Sequence, residues 1–252
     1  MKMRNSVALF GAIGVSALVA FAAEKKPLPQ SDPEPDVVSD SAESGTVHQG
    51  LTDTPVGFYV GQFGPGKITV RLEKIVGDSV LGYSVTGGNQ RAFSGTFAAP
   101  EGVPRVVARE PGDNPTDGVF RFDIPAGEKS LVGIWTANNK KIKPINFTLK
   151  RRDFRYNPKA GNYPQSSTLK LNEDDVSNLQ REQLRIMRNE MYARHGYSFK
   201  IEDMRRYFDQ QDWYMPMLTD VSTKLTALEQ KNHELIKRYE NYSQEYYDSF
   251  GR

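Results

Sequence analysis

A helix end and the turn that stops it are predicted by Arg188-Asn189-Glu190-Met191-Tyr192-Ala193-Arg194-His195-Gly196-Tyr197. At helical periodicity Met187 and Met191 share one apolar face, and Arg188 interrupts that face. A buried guanidinium cannot lose its charge, so Arg188 would need a carboxylate or several carbonyl groups as partners there. Gly196 is placed to end the helix in the left-handed conformation, which glycine adopts without a steric penalty.

The polar residues of this motif have two interpretations. In the functional one, Arg188, Glu190, Arg194 and His195 form a ligand-binding or catalytic cluster. In the structural one they form a hydrogen-bonded network, together with a surface ion pair between Glu190 and Arg194 at i, i+4. We expect the structural arrangement, because polar residues on helices are most often structural or solvated. The candidate binding or structural residues are Arg188, Asn189, Glu190, Tyr192, Arg194, His195, Gly196, Trp213, Glu229 and Asn232.

The motif continues into a longer pattern of residues. Around the intact pentapeptide Tyr192-Ala193-Arg194-His195-Gly196 it spans residues 184–199, and it continues with Tyr207-Phe208, Trp213-Tyr214 and Leu228-Glu229-Gln230-Lys231-Asn232. This pattern resembles the YARHG domain, and the resemblance covers roughly the last third of the chain. It implies a small all-helical domain of bacterial exported proteins, without a settled activity and with suspected binding to the cell envelope. The resemblance implies a location and a fold, and leaves the mechanism open.

The N-terminus has the pattern of a targeting segment. Residues 1–23 place Lys2 and Arg4 ahead of an apolar run over residues 7–23, and Ala20-Phe21-Ala22 offers small residues for signal peptidase. We interpret residues 1–23 as a cleavable signal peptide, with an uncleaved membrane anchor over residues 7–23 as the alternative. Either interpretation places the rest of the chain outside the cytoplasm, in the periplasm or the extracellular space.

Residues 24–55 are rich in Pro, Asp, Glu and Ser and contain almost no large apolar side chain. Such a segment cannot bury enough surface to order itself, so we predict a disordered linker. It contains His48, which is therefore a poor candidate for chemistry.

Over residues 56–155 apolar and polar residues alternate, which is typical of strands with one buried face. Gly77-Asp78 between two such runs predicts a tight hairpin. Seven or eight short strands without an intervening helix indicate an antiparallel meander. The predicted fold class is therefore α+β in two domains: an antiparallel β-barrel or sandwich, lipocalin-like in its meander, followed by a small all-helical domain. Aromatic residues that either line a pocket or fill the interior are Phe93, Phe97, Phe120, Phe122, Trp135 and Phe147.

Residues 156–171 are predicted to be a linker, and residues 172–252 the helical YARHG-like domain. Asn172, followed by three acidic residues, predicts the start of a main helix that runs to His195. Thr226-Ala227-Leu228-Glu229 has the pattern of a capping box that opens the last helix. Asn232 interrupts the apolar face of that helix, as Arg188 does on its own helix. We therefore expect Arg188, His195 and Asn232 to share one network, with Glu229 as its counter-charge.

Composition argues against several classes of function. A formal net charge of +2 does not predict nucleic-acid binding, and the absence of cysteine excludes disulfides, thiol catalysis and an N-terminal lipidated cysteine. Three histidines at positions 48, 195 and 233 show no spacing typical of metal ligands. The sequence also lacks the Gly-x-Ser-x-Gly turn of many hydrolases. Thus no catalytic residue, metal or cofactor is assigned, and the sequence leaves the oligomeric state open.

The function that these observations favour is that of a non-enzymatic exported protein. It would bind a cell-wall or other envelope component, or an envelope protein, through its helical and barrel domains. One alternative is a carrier of small apolar ligands in the barrel. A second alternative is an envelope hydrolase.

Overall fold

The computed structural model describes residues 55–125 and 129–250. The predicted signal peptide and the predicted linker up to residue 54 lie outside the described residues. Across the described ranges, an antiparallel β-barrel is followed by a helical domain, and both belong to one compact unit. The predicted α+β layout in two domains is confirmed.

Eight antiparallel strands form the barrel, each paired with the next along the chain. The last strand also pairs with the first, where Tyr59 and Val60 lie opposite Arg151 and Lys150. The sheet is therefore a closed barrel rather than a sandwich, and the predicted hairpin at Gly77-Asp78 connects β2 to β3. The strands are β1 (Gly57–Phe63), β2 (Gly66–Val76), β3 (Ser79–Thr86), β4 (Asn89–Ala98), β5 (Arg105–Arg109), β6 (Gly118–Asp123), β7 (Ser130–Ala137) and β8 (Ile145–Arg151).

The interior of the barrel is filled by its own side chains. Phe120 lies among Phe63, Phe93, Trp135 and Phe147, with ring centroids 5.6 to 6.5 Å away. Apart from Phe63, which is partly buried, these rings are at most 7% exposed, as expected for the inward face of alternating strands. Of the two interpretations of the aromatic residues, the structure therefore favours the filled interior over a ligand pocket.

The helical domain contains four helices, and two of them form its core. Leu184, Met187 and Met191 of the second helix pack against Ile236 of the last helix. The apolar face predicted for the motif helix is therefore buried between the two helices. The helices are α1 (Gln165–Thr168), α2 (Arg181–Arg194), α3 (Glu202–Asp209) and α4 (Ala227–Phe250). A 3₁₀ turn at Pro100–Gly102 lies between β4 and β5.

The main helix begins later than the sequence predicts. Asn172 accepts a hydrogen bond from the N–H of Asp174 and donates its own N–H to Asp175, so these polar residues close a local turn. The helix begins at Arg181 instead, after a capping box formed by Gln180 and Gln183. The predicted start at Asn172 is wrong, because the side chain that would cap a helix there is used by the turn.

The helical domain packs directly on the barrel. Lys67 of β2 donates its N–H to Asp209 and its ammonium group to the carbonyl oxygens of Gln211 and Tyr214. Arg152, just after β8, donates to two further carbonyl groups of the same segment, at positions 212 and 213. An apolar cluster of Val60, Met215 and Met217 lies beside these bonds.

Candidate functional site

Arg194 is fully buried, and all five of its N–H donors are used. Its side chain is 0% exposed, and it forms an ion pair of 2.8 Å with Glu190. Every other bond goes to the segment at residues 160–167, so the guanidinium holds the chain that precedes α2 against the end of this helix. The acceptors there are the carbonyl oxygens of Ala160 and Tyr163 and the hydroxyl oxygens of Ser166 and Ser167, at 2.7 to 2.9 Å.

Glu190 binds the same segment as a hydrogen-bond acceptor, whereas Arg194 binds it as a donor. Its carboxylate accepts the backbone N–H groups of Asn162 and Tyr163, both at 2.8 Å, in addition to Arg194. Burial raises the pKa of Glu190, while these three bonds act in the opposite direction. The pair of Glu190 and Arg194 was expected at the surface; that prediction is wrong, because residues 160–167 cover the pair.

His195 and Glu229 form a second buried contact, between the end of α2 and the start of α4. The His195 Nε2 atom lies 2.7 Å from the Glu229 carboxylate, and the imidazole stacks on Tyr156 at a centroid distance of 4.5 Å. Glu229 also accepts the Ser167 hydroxyl and the backbone N–H of Thr226, which confirms the predicted capping box. Burial alone would raise the pKa of Glu229, but bonds from His195, Ser167 and Thr226 lower it to about 2.

This arrangement differs from an activated nucleophile. His195 and Ser167 both bond to Glu229 rather than to each other, whereas a nucleophilic serine requires a direct hydrogen bond to its base. The Ser167 hydroxyl also accepts a bond from Arg194. The side chains of Arg194, Ser167, Glu229 and His195 therefore form a structural network of hydrogen bonds.

Asn232 completes the contacts to residues 160–171. Its amide donates to the carbonyl oxygens of Ser166 and Leu169 and accepts the N–H of Leu171. We call five residues the clamp, four because they bond to this segment and His195 because it bonds to Glu229: Glu190, Arg194, His195, Glu229 and Asn232.

The predicted network shared by Arg188, His195 and Asn232 is wrong. Arg188 instead forms a two-bond ion pair with Glu240 of α4, at 2.7 and 3.2 Å. Its side chain stays 22% exposed, because it lies at the edge of the contact between α2 and α4. Glu229 does serve as a partner, to His195.

Gly196 ends α2 as predicted, with a φ angle of +80°. A Cβ atom there would approach Met217 to 2.9 Å and Phe154 to 3.1 Å, so the tight packing also requires glycine. Trp213 lines a cavity of about 280 Å³ together with Arg194; its ring is edge-on to Phe208 and its carbonyl is bound by Arg152.

Tyr192 and Asn189 lie on the other side of α2, where they line a groove of about 550 Å³. Asn189 is mostly buried and donates to the carbonyl oxygen of Arg185. Tyr192 lies near Tyr197 and edge-on to His233, with centroid distances of 6.1 and 5.7 Å. We call this surface the α2 groove; the other residues that line it include Arg188, Phe199, Lys200, Ile201, Met204, Thr219, Asp220, Val221, Ser222 and Leu225.

The sequence did not indicate the residues that the clamp contacts or two of the rings in the α2 groove. Tyr156, Ser166 and Ser167 lie in the segment predicted to be a linker, and Tyr197 and His233 were not named as site residues. The available signal was composition: unlike residues 24–55, residues 156–171 contain no acidic residue and carry aromatic rings at Tyr156 and Tyr163.

The chain thus combines a closed meander barrel with a helical domain whose motif side chains hold the preceding segment from within. The family model of the YARHG domain matches residues 161–241 of that helical domain, which confirms the family resemblance. The match begins at Gly161, within the segment that the clamp holds. No curated protein and no solved structure matches the chain.

Two properties of the residues that the structure describes concern membranes and metals. None of their helices is both long enough and apolar enough to cross a membrane. Nor do residues 55–125 and 129–250 bring together three His, Cys, Asp or Glu side chains in a way that could hold a metal ion.

Proposed function

We propose that this protein is exported and non-enzymatic, and that it binds a component of the bacterial cell envelope. The N-terminal sequence pattern and the YARHG domain, which is usually found in exported proteins, support export. Binding takes place in the helical domain, at the α2 groove.

One observation carries the proposal: the motif divides into two faces with different roles. Glu190, Arg194 and His195 face inward: the first two bond to the segment before α2, and His195 bonds to Glu229 of α4. Tyr192 and Asn189 face the α2 groove, whose volume falls within the range of small-molecule sites. The inward face is a scaffold beside a cavity of about 280 Å³, and the α2 groove, at about 550 Å³, offers a ligand more room.

Neither alternative has comparable support. Carriage of an apolar ligand would require space inside the barrel, where the aromatic rings contact one another. Hydrolysis would require a nucleophile beside His195, which bonds to Glu229 instead.

The test is retention of the full-length chain by the envelope. Purified protein is incubated with whole cell-wall sacculi and sedimented, and crosslinking in cells is performed in parallel. Tyr192→Ala should abolish co-sedimentation. The matched control is Tyr242→Ala, because Tyr242 is 60% exposed on α4 and lies outside the groove. A chain found only free in the medium, without envelope crosslinks, would overturn the proposal.

A further inference from the structure

We propose that the α2 groove binds an uncharged stretch of polysaccharide, stacked on Tyr192 and Tyr197 and oriented by His233. This inference rests on the proposed function and specifies the chemistry of the ligand.

The charges that line the groove are neutralised by the protein itself. Arg185 is paired with Asp203 at 2.6 Å, and Arg188 with Glu240 at 2.7 Å. The remaining charges on the groove lining are one cation, Lys200, and one anion, Asp220. An anionic ligand would therefore gain little electrostatic attraction, and the groove suits an uncharged one.

The tyrosine rings are held in fixed orientations before any ligand arrives. The ring of Tyr192 is edge-on to His233 at 74°, and the ring of Tyr197 is edge-on to Phe199 at 85°. Both tyrosines are half-buried, and their planes are tilted by 55° to each other. Rigid amphipathic rings offer an apolar face to the C–H side of a sugar at a small cost in side-chain entropy.

His233 supplies the polar contact that such a ligand needs. Among the described residues its ring lies edge-on to Tyr192, and its nitrogens form no hydrogen bond. Burial lowers the pKa of His233, as do the charges of Arg188 and Lys237, while Glu234 and Glu240 act in the opposite direction. A neutral imidazole presents one donor and one acceptor, which matches a sugar hydroxyl.

A peptide ligand is less well matched to this groove. An extended peptide gains affinity by pairing with a free strand edge. Here the extended backbone beside the groove is already paired, since Tyr197 bridges to Leu218 and the N–H of Ser198 bonds to the Leu218 carbonyl. The remaining walls include α2 and α4, whose backbone groups bond within the helix.

The experiment compares the two chemical parts of the cell wall. Full-length protein is titrated with strands of uncharged N-acetylglucosamine oligosaccharide, which lack the carboxylates that an amidase exposes on cell-wall glycan, and separately with the peptides that the amidase releases. We expect binding to the strands only, weakened about ten-fold or more by Tyr192→Ala and by His233→Ala, and unchanged by Tyr242→Ala. His233→Gln, which keeps a donor and an acceptor, should retain more affinity than His233→Ala.

The outcomes separate this inference from the proposed function. Binding to the peptides instead of the strands would overturn the glycan assignment and leave envelope binding in place. Binding to neither fraction and to no intact sacculi would overturn both. Because Tyr192 also packs beside a core cluster, melting curves are recorded for each variant. Loss of affinity in His233→Ala with an unchanged melting curve would support the inference, and unchanged affinity in that variant would contradict it.

Discussion

Two arginines of α2 differ in burial: Arg194 is fully buried and Arg188 is partly exposed. Their substitutions should therefore lower stability by different amounts. Arg194→Ala leaves Glu190 buried without its counter-charge and should lower the free energy of unfolding by about 3 to 5 kcal/mol. Arg188→Ala removes the partner of Glu240, but water can reach that carboxylate at the edge of the helix contact. The free energy of unfolding should therefore fall by only about 1 kcal/mol. Urea denaturation measures both.

The control for these substitutions is Arg206→Ala. Arg206 and Glu202 form an i, i+4 pair on α3 with side chains 69% and 72% exposed, so little change is expected. Equal losses for Arg188→Ala and Arg194→Ala would contradict the distinction between the edge and the interior of the domain.

Gly161 lies where the clamp allows no side chain. Its φ angle is +89°, and an added Cβ would lie 2.6 Å from the carboxylate of Glu190. Gly161→Ala should therefore lower the free energy of unfolding by more than about 2 kcal/mol. Gly77→Ala is the matched control: its φ is +58° with open space around it, so only the backbone penalty of about 1 kcal/mol should appear. A larger loss of stability in Gly77→Ala than in Gly161→Ala, measured by thermal melts, would contradict the close approach of residue 161 to Glu190.

Glu229 should make stability depend on acid. Its pKa is lowered from 4.5 to about 2, so below pH 4.5 the unfolded chain takes up a proton before the folded one does. The corresponding stabilisation, about 3 kcal/mol, is complete above pH 4.5 and is lost as the pH falls towards 2. Glu229→Gln should be less stable than the unsubstituted chain at pH 7. The difference in free energy of unfolding between the two proteins should shrink as the pH is lowered. A difference in stability that does not change with pH would contradict the lowered pKa of Glu229.

At the level of elements, the sequence predicted what depends on local pattern. The alternation in β2 and β6, the turn at Gly77-Asp78 and the capping box at Thr226 follow from nearest neighbours along the chain. The start of α2 was misplaced, because Asn172 and its acidic neighbours fit a turn as well as a helix cap.

The clamp could not be predicted in the same way. Arg194 bonds to residues 27 to 34 positions earlier, and Asn232 to residues 61 to 66 positions earlier. Helical periodicity shows that a polar residue lies on an apolar face, but it does not identify the distant segment that will satisfy it. The sequence therefore favoured a structural motif and predicted the pair of Glu190 and Arg194, but it gave Arg188 the wrong partners and missed residues 160–171.

Across the whole molecule, barrel and helical domain should unfold together. Lys67 and Arg152 bind carbonyl groups at positions 211–214, and Met217 packs beside Val60. Met217→Asp would bury a carboxylate in this contact, and we expect it to split a single calorimetric transition into two.

The matched control places the same charge on an open surface. Val76 is 58% exposed at the end of β2, so Val76→Asp should leave a single transition with nearly the same melting temperature. Two transitions in the unsubstituted protein would contradict the coupling between the domains.

The position of the clamp along the chain separates the requirements of the two domains. Every strand of the barrel is present in a chain that reaches β8, since β8 pairs with β1 and β7. The segment at residues 160–171 must wait for Glu190 and Arg194, and then for Glu229 and Asn232. A chain that ends early would carry a finished barrel beside an unsecured tail that proteases can cut. A full-length chain that resists proteolysis at residues 160–171 has therefore formed its last helix as far as Asn232.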